Sequence, residues 1–174
     1  MTGFRHTAYA IWPGMYPSRL IPKTALTFAI VWCFGNDLKM TKAAVNPSSL
    51  MKPVGFSHGF EVRGGRILFL AGQVAFDKKG AVVGKGNLLA QFRQVCENLR
   101  AVVEAQGGTL QDVVKLTIYV LDKKSYMDNR PALGRIYREY FGRHYPAMTL
   151  VEVKGLYDQT GDIMLEIDGV AALN

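Results

Sequence analysis

Apolar and polar residues settle into regular periods only from Phe60 onward. FEV, then RGG, then RILFLAGQV predicts two strands joined by a short glycine-containing turn. The second strand, Ile67 to Val74, is dense enough in apolar residues to predict burial on both faces. FDKKGAVVGKGN then breaks the period and reads as a loop, with a brief extended stretch at Ala81 to Val83. Leu88, Leu89, Phe92, Val95, Cys96, Leu99, Val102 and Val103 recur at three- and four-residue intervals. That spacing predicts an amphipathic helix of about 18 residues, capped by Asn87 and stopped at Gly107.

VVKLTIYVL, Val113 to Leu121, is alternating and β-branched, hence a strand. Helical spacing returns from Ser125 to Phe141, with the regular part starting near Pro131 and ending at Gly142. AMTLVEV and DIMLEIDGVAAL are two further strands, linked by KGLYDQTG. The order β-β-α-β-α-β-β predicts an α+β domain, a mixed sheet with two helices on one face.

Residues 1–39 carry no such pattern. Scattered aromatics, prolines and glycines lead into the apolar run ALTFAIVWCF, Ala25 to Phe34, which is too short to span a bilayer. A signal peptide fits poorly, because 24 residues precede the run and GND follows it. The reading favoured is an N-terminal extension over 1–39, upstream of a natural start at Met40, followed by one folded domain over 40–174.

Charge sharpens this division. The formal net charge is +7, and residues 1–42 hold five basic residues against Asp37 alone, a surplus of four. Residues 43–174 hold 16 basic and 13 acidic residues, a surplus of only three and no basic stripe. Nucleic acid is therefore not an expected partner, nor is a membrane. Cys33 and Cys96, the only cysteines, give neither a disulfide framework nor a metal-ligand spacing, so a cytoplasmic, reducing location is expected. Cys96, among Val and Leu, is expected to be an inert core thiol.

Candidate chemistry is sparse. GFSHG, residues 55–59, matches the G-x-S-x-G pattern of a nucleophile elbow, which requires a strand before it and a helix after it. Here a loop with Pro53 precedes and a hairpin follows, so Ser57 is no elbow nucleophile. His6, His58 and His144 are scattered, and GKG at 84–86 opens no phosphate-binding helix. No metal and no cofactor is expected.

Five stretches give a more specific reading: GFSHGFEVRGGRILFLAGQVAFD, NLLAQFRQVCENLRAVVEAQGGTLQDVVKLTIYV, REYF, PAMTLVEVKGL and LEIDGVAAL. In order and spacing they resemble the RidA (YjgF) family, from about Asn46 to Leu173. The resemblance implies a chorismate-mutase-like fold and a homotrimer with a ligand pocket at each subunit junction. It also implies an enamine/imine deaminase-type hydrolase acting on a small reactive metabolite.

Its site residues carry over one by one. Glu166 matches the pocket glutamate that serves the attacking water, although strand alternation alone would equally make it a surface residue. Gly72 and Gln73 match positions that present backbone groups to the ligand. Phe56 is the aromatic at the pocket mouth, with Ser57 and His58 as polar walls. Tyr119 either reaches the cleft or packs in the core.

Two positions depart from the pattern. In Pro146-Ala147-Met148-Thr149, Met148 stands where the family has the arginine that clamps a substrate carboxylate, and Gly134 stands where it often has an asparagine. A thioether cannot form the bidentate pair of a guanidinium, which argues against a 2-imino-acid substrate held in the usual way. Two alternatives remain: a non-catalytic trimer that binds a small metabolite, and a ribonuclease or translation inhibitor, against which the near-neutral domain speaks.

Overall fold

The computed structural model describes residues 39–158 and 160–174, so the expected extension lies outside the described residues up to position 38. Among the described residues six strands and three α-helices follow in order. They are β1 (Thr41–Val45), β2 (Gly59–Arg63), β3 (Arg66–Gln73), α1 (Leu88–Glu104), β4 (Val113–Val120), α2 (Lys123–Asp128), α3 (Arg130–Phe141), β5 (Ala147–Glu152) and β6 (Leu165–Leu173). The main sheet has the order β3-β6-β4-β5, with β4 and β5 parallel and the other neighbours antiparallel. It is the mixed α+β architecture the pattern predicted.

The hairpin expected between β2 and β3 does not form. The chain does turn at Gly64 and Gly65, with φ of 71° and 76°. Beyond the turn β2 pairs with β1, Val45 opposite Gly59, whereas β3 pairs with β6. β1 arises from a stretch before Phe60, for which the pattern predicts no element. Its Lys42 forms an ion pair with Asp112 and donates to the Ala172 carbonyl (3.4 Å).

α1 begins where expected: the Asn87 side chain accepts from the Ala90 amide (3.0 Å). Its apolar stripe, Phe92, Val95, Cys96, Leu99 and Val103, is buried against the sheet. The expected second helix divides at Asn129 (φ −89°, ψ 2°), with Pro131 in the first turn of α3. Asp122 caps α2 by accepting from the Ser125 amide (2.9 Å).

Alternation along β4 and β6 decides what faces where. Leu116, Ile118 and Val120 on β4, and Leu165 and Ile167 on β6, are buried under the helices. Lys115, Thr117, Tyr119, Glu166 and Asp168 point to the opposite face, which carries no helix among the described residues. β3, expected to be buried on both sides, is covered on one only: Leu70 is buried, whereas Ile67 is 61% and Phe69 78% exposed.

Candidate functional site

GFSHG is fastened to the beginning of β5. The Ser57 amide donates to the Pro146 carbonyl (3.0 Å) and its hydroxyl to the Tyr145 carbonyl (2.7 Å). Both polar groups of this buried serine are thus engaged in holding the loop, and the turn at Gly55 has φ 77°. Phe56 is left half-buried at the rim, edge-on to His58 with ring centroids 5.3 Å apart. The His58 ring is itself tied to the Met51 carbonyl (2.8 Å).

Behind this rim, between α2–α3 and the β4–β5 edge, lies a cavity of about 270 Å³ bordered by Ile118, Tyr126, Leu133, Gly134, Tyr137 and Met148. It opens into a shallower space of about 290 Å³ that Phe56, Thr149 and Leu150 border. Tyr137 stacks on Phe141 (4.5 Å) and on Tyr145 (5.6 Å), a rigid aromatic wall. Burial pushes the Tyr126 phenol up to about 12 and raises Tyr137 further, so both rings are neutral near pH 7.

A second cluster occupies the helix-free face. β3 bulges between Leu70 and Gln73, and the Glu166 carboxylate fills the space beside Gly72 that a Cβ there would need. The Gln73 side chain donates to the Ala71 carbonyl (3.2 Å) within the bulge. Tyr119, paired with Glu166 across the ladder, donates its hydroxyl to Asp168 (3.1 Å), and that hydrogen bond raises its phenol above the ordinary value. Lys115 donates to the Thr149 hydroxyl (2.6 Å), and partial burial lowers its ammonium against the opposing pull of Asp168. Tyr119 is therefore not a core residue.

The candidate residues thus form two groups. Met148 is in register with Leu116 on the helix-facing side and packs against the core, together with Phe56 and Gly134 at the cavity. Glu166, Gly72, Gln73 and Tyr119 lie on the other face, and Thr149, on the edge strand, touches both settings. The chain by itself does not bring Glu166 and Met148 to one place.

Sequence reasoning missed the cavity's charged residues. Arg130 and Arg138 border it, and among the described residues no Asp or Glu does. The signal lay in Arg130-x3-Gly134-x3-Arg138, since positions four apart on a helix lie along one stripe. A Cβ at Gly134 would find the Arg138 guanidinium as its nearest neighbour, 3.8 Å away.

Comparison with known proteins agrees with this architecture. Residues 48–173 match the family model described as Endoribonuclease L-PSP. A RutC family protein of Pyrococcus horikoshii is 36% identical over 130 residues, 75% of this chain and 97% of that protein. The crystal structure of a Rid family protein of unknown function, YyfB from Yersinia pestis, superposes with a TM-score of 0.68 at 34% identity, over 76% of this chain and 98% of that one. A putative endoribonuclease from Thermotoga maritima gives 0.54 at 31% identity, over 75% and 92% of the two chains.

Proposed function

Because the chain belongs to the RidA (YjgF) family, we propose that it is a homotrimeric hydrolase of a small imine or enamine, with its site at the junction between subunits. One observation carries this reading: Met148, Phe56 and Gly134 border the cavity on the helix side of the sheet, while Glu166 and Gly72 lie on its other face. Seating the helix-free face of one copy against the cavity edge of the next would unite the two groups. It would also cover Ile67 and Phe69, which are 61% and 78% exposed.

In such a junction the mechanism follows from the parts. The cavity excludes water from the body of the substrate. Glu166, a carboxylate on a rigid central strand, takes a proton from the one water that attacks the imine carbon. The carbinolamine so formed collapses, with the proton passing to nitrogen as ammonia leaves, and a carbonyl product remains.

The competing non-catalytic reading draws support from Met148, which offers the substrate no charge. A ribonuclease is disfavoured by the domain's balance of 16 basic against 13 acidic residues over 43–174. Imines generated from a panel of amino acids by an amino-acid oxidase separate these readings. Accelerated ammonia release by the native protein, lost in Glu166→Gln, supports the hydrolase. An equal background rate with every imine rejects it.

A further inference from the structure

Met148 removes the positive charge expected on β5, yet the same cavity holds two guanidiniums on α3. Resting on the proposed junction site, we infer that Arg130 and Arg138 are a relocated anion clamp, and that the ligand is a monocarboxylate with an aromatic or branched apolar body. Three independent features carry this.

The first is charge. Arg130 and Arg138 border the cavity, and among the described residues no carboxylate does and neither arginine forms an ion pair. By contrast Arg93, on α1, is paired with Glu139, and Arg100 with Glu97 and Glu104. Two unneutralised guanidiniums at the mouth of an otherwise apolar hollow favour an anion.

The second is shape along the helix. Arg130, Gly134 and Arg138 form one stripe, and the glycine leaves a hollow between the two charged side chains. Arg138 lies at that hollow, its Nη1 3.8 Å from where a Cβ of residue 134 would stand. A Cβ there would meet Arg138 at ordinary van der Waals distance, and the atoms beyond it in the asparagine often found in the family would take up the hollow. Gly134 and Met148 are thus one exchange: charge is lost from the strand, and room is made on the helix for charge supplied there.

The third is the lining. Met148, Tyr126, Tyr137 and Tyr145 surround a volume of about 270 Å³, small for a ligand pocket and largely apolar. With methionine occupying the strand position, the body of the ligand packs where the family's arginine head would be. The carboxylate is held at the helix side. A ligand such as pyruvate, with only a methyl group beyond its carbonyl, leaves that apolar space unfilled.

Isothermal titration of the full chain with phenylpyruvate, pyruvate and the uncharged phenylacetone tests the clamp. Phenylpyruvate should bind the native protein more tightly than pyruvate. Arg130→Gln and Arg138→Gln should each weaken it about tenfold, the lower end for loss of a charge-assisted hydrogen bond. Phenylacetone should bind all variants alike, and Arg135→Gln, off the cavity, should match the native protein. Native protein that ignores phenylpyruvate, or arginine variants that bind it as tightly as native, overturns the clamp. Arginine-dependent binding without turnover of any imine would leave the clamp standing and remove the hydrolase. Native ammonia release unaffected in both arginine variants would do the reverse.

Discussion

Replacing Gly72 by alanine should slow turnover sharply while leaving the fold intact. Gly72 has no left-handed φ, so alanine fits the backbone, and its reduced freedom in the unfolded chain favours the native state by about 0.4–1 kcal/mol. Opposing this, the new methyl would overlap the Glu166 carboxylate, whose Oε1 is the nearest atom and whose Cδ lies 2.7 Å from the ideal Cβ position. Relief of the Oε1 overlap to an ordinary contact needs that oxygen to move by well over about 1 Å, and a misplacement of about 1 Å already costs about 100-fold in rate for a positioned catalytic group. The expected result is a kcat about 100-fold lower, measured by ammonia release, with a melting temperature within a few degrees of native. Since the methyl acts through the carboxylate, adding Gly72→Ala to Glu166→Gln should change the rate little further. Native kcat in Gly72→Ala, or losses that multiply in the double variant, would refute this role for Glu166.

Gln91 is fully buried on α1. It donates to the Asp162 (2.6 Å) and Gly84 (3.2 Å) carbonyls and accepts from the Met164 amide (2.8 Å). Gln91→Leu strands these groups and should cost about 3 kcal/mol, read from the urea midpoint. The Cys96 thiol, pushed up to about 12 by burial, should resist a disulfide reagent at pH 8 and react only as fast as the chain unfolds. Amides of Thr160 and Ile163 hold the Asp158 carboxyl at about 2. A lowered carboxylate stabilises above its unfolded value near 3.9 and loses that contribution as pH falls through about 2. Protection of the Ile163 amide from exchange should therefore fade over that window in the native protein and be pH-independent in Asp158→Asn.

The sequence was most informative where one periodicity met one burial requirement. The stripe from Leu88 to Val103 and its Asn87 cap could be read directly, as could β4, because helix packing leaves those apolar residues one place to go. Pairing was less legible. Gly64 and Gly65 mark a turn, but a turn does not specify which strand edge its arms adopt, and β2 took β1. β1 itself escaped notice because TKAAV is held by backbone pairing and one ion pair rather than by an apolar face.

The candidate site residues were nameable one by one from the family pattern. Their division between two faces was not, since it depends on strand register: Met148 beside Leu116, Glu166 beside Tyr119. Arg130 and Arg138 were passed over as ordinary surface charges. Only the cavity behind them distinguishes them from Arg135.

The central claim is that the site is completed by a second copy, and subunit mixing tests it most directly. Glu166→Gln disables the helix-free half and Met148→Trp fills the cavity half, so each variant alone should be inactive. Unfolded together in equal amounts and refolded, the two should form mixed trimers. About a quarter of the junctions would then pair an intact half from each variant, and about a quarter of native activity should return. A mixture no more active than its separate components, from variants that each still assemble, would contradict a shared site.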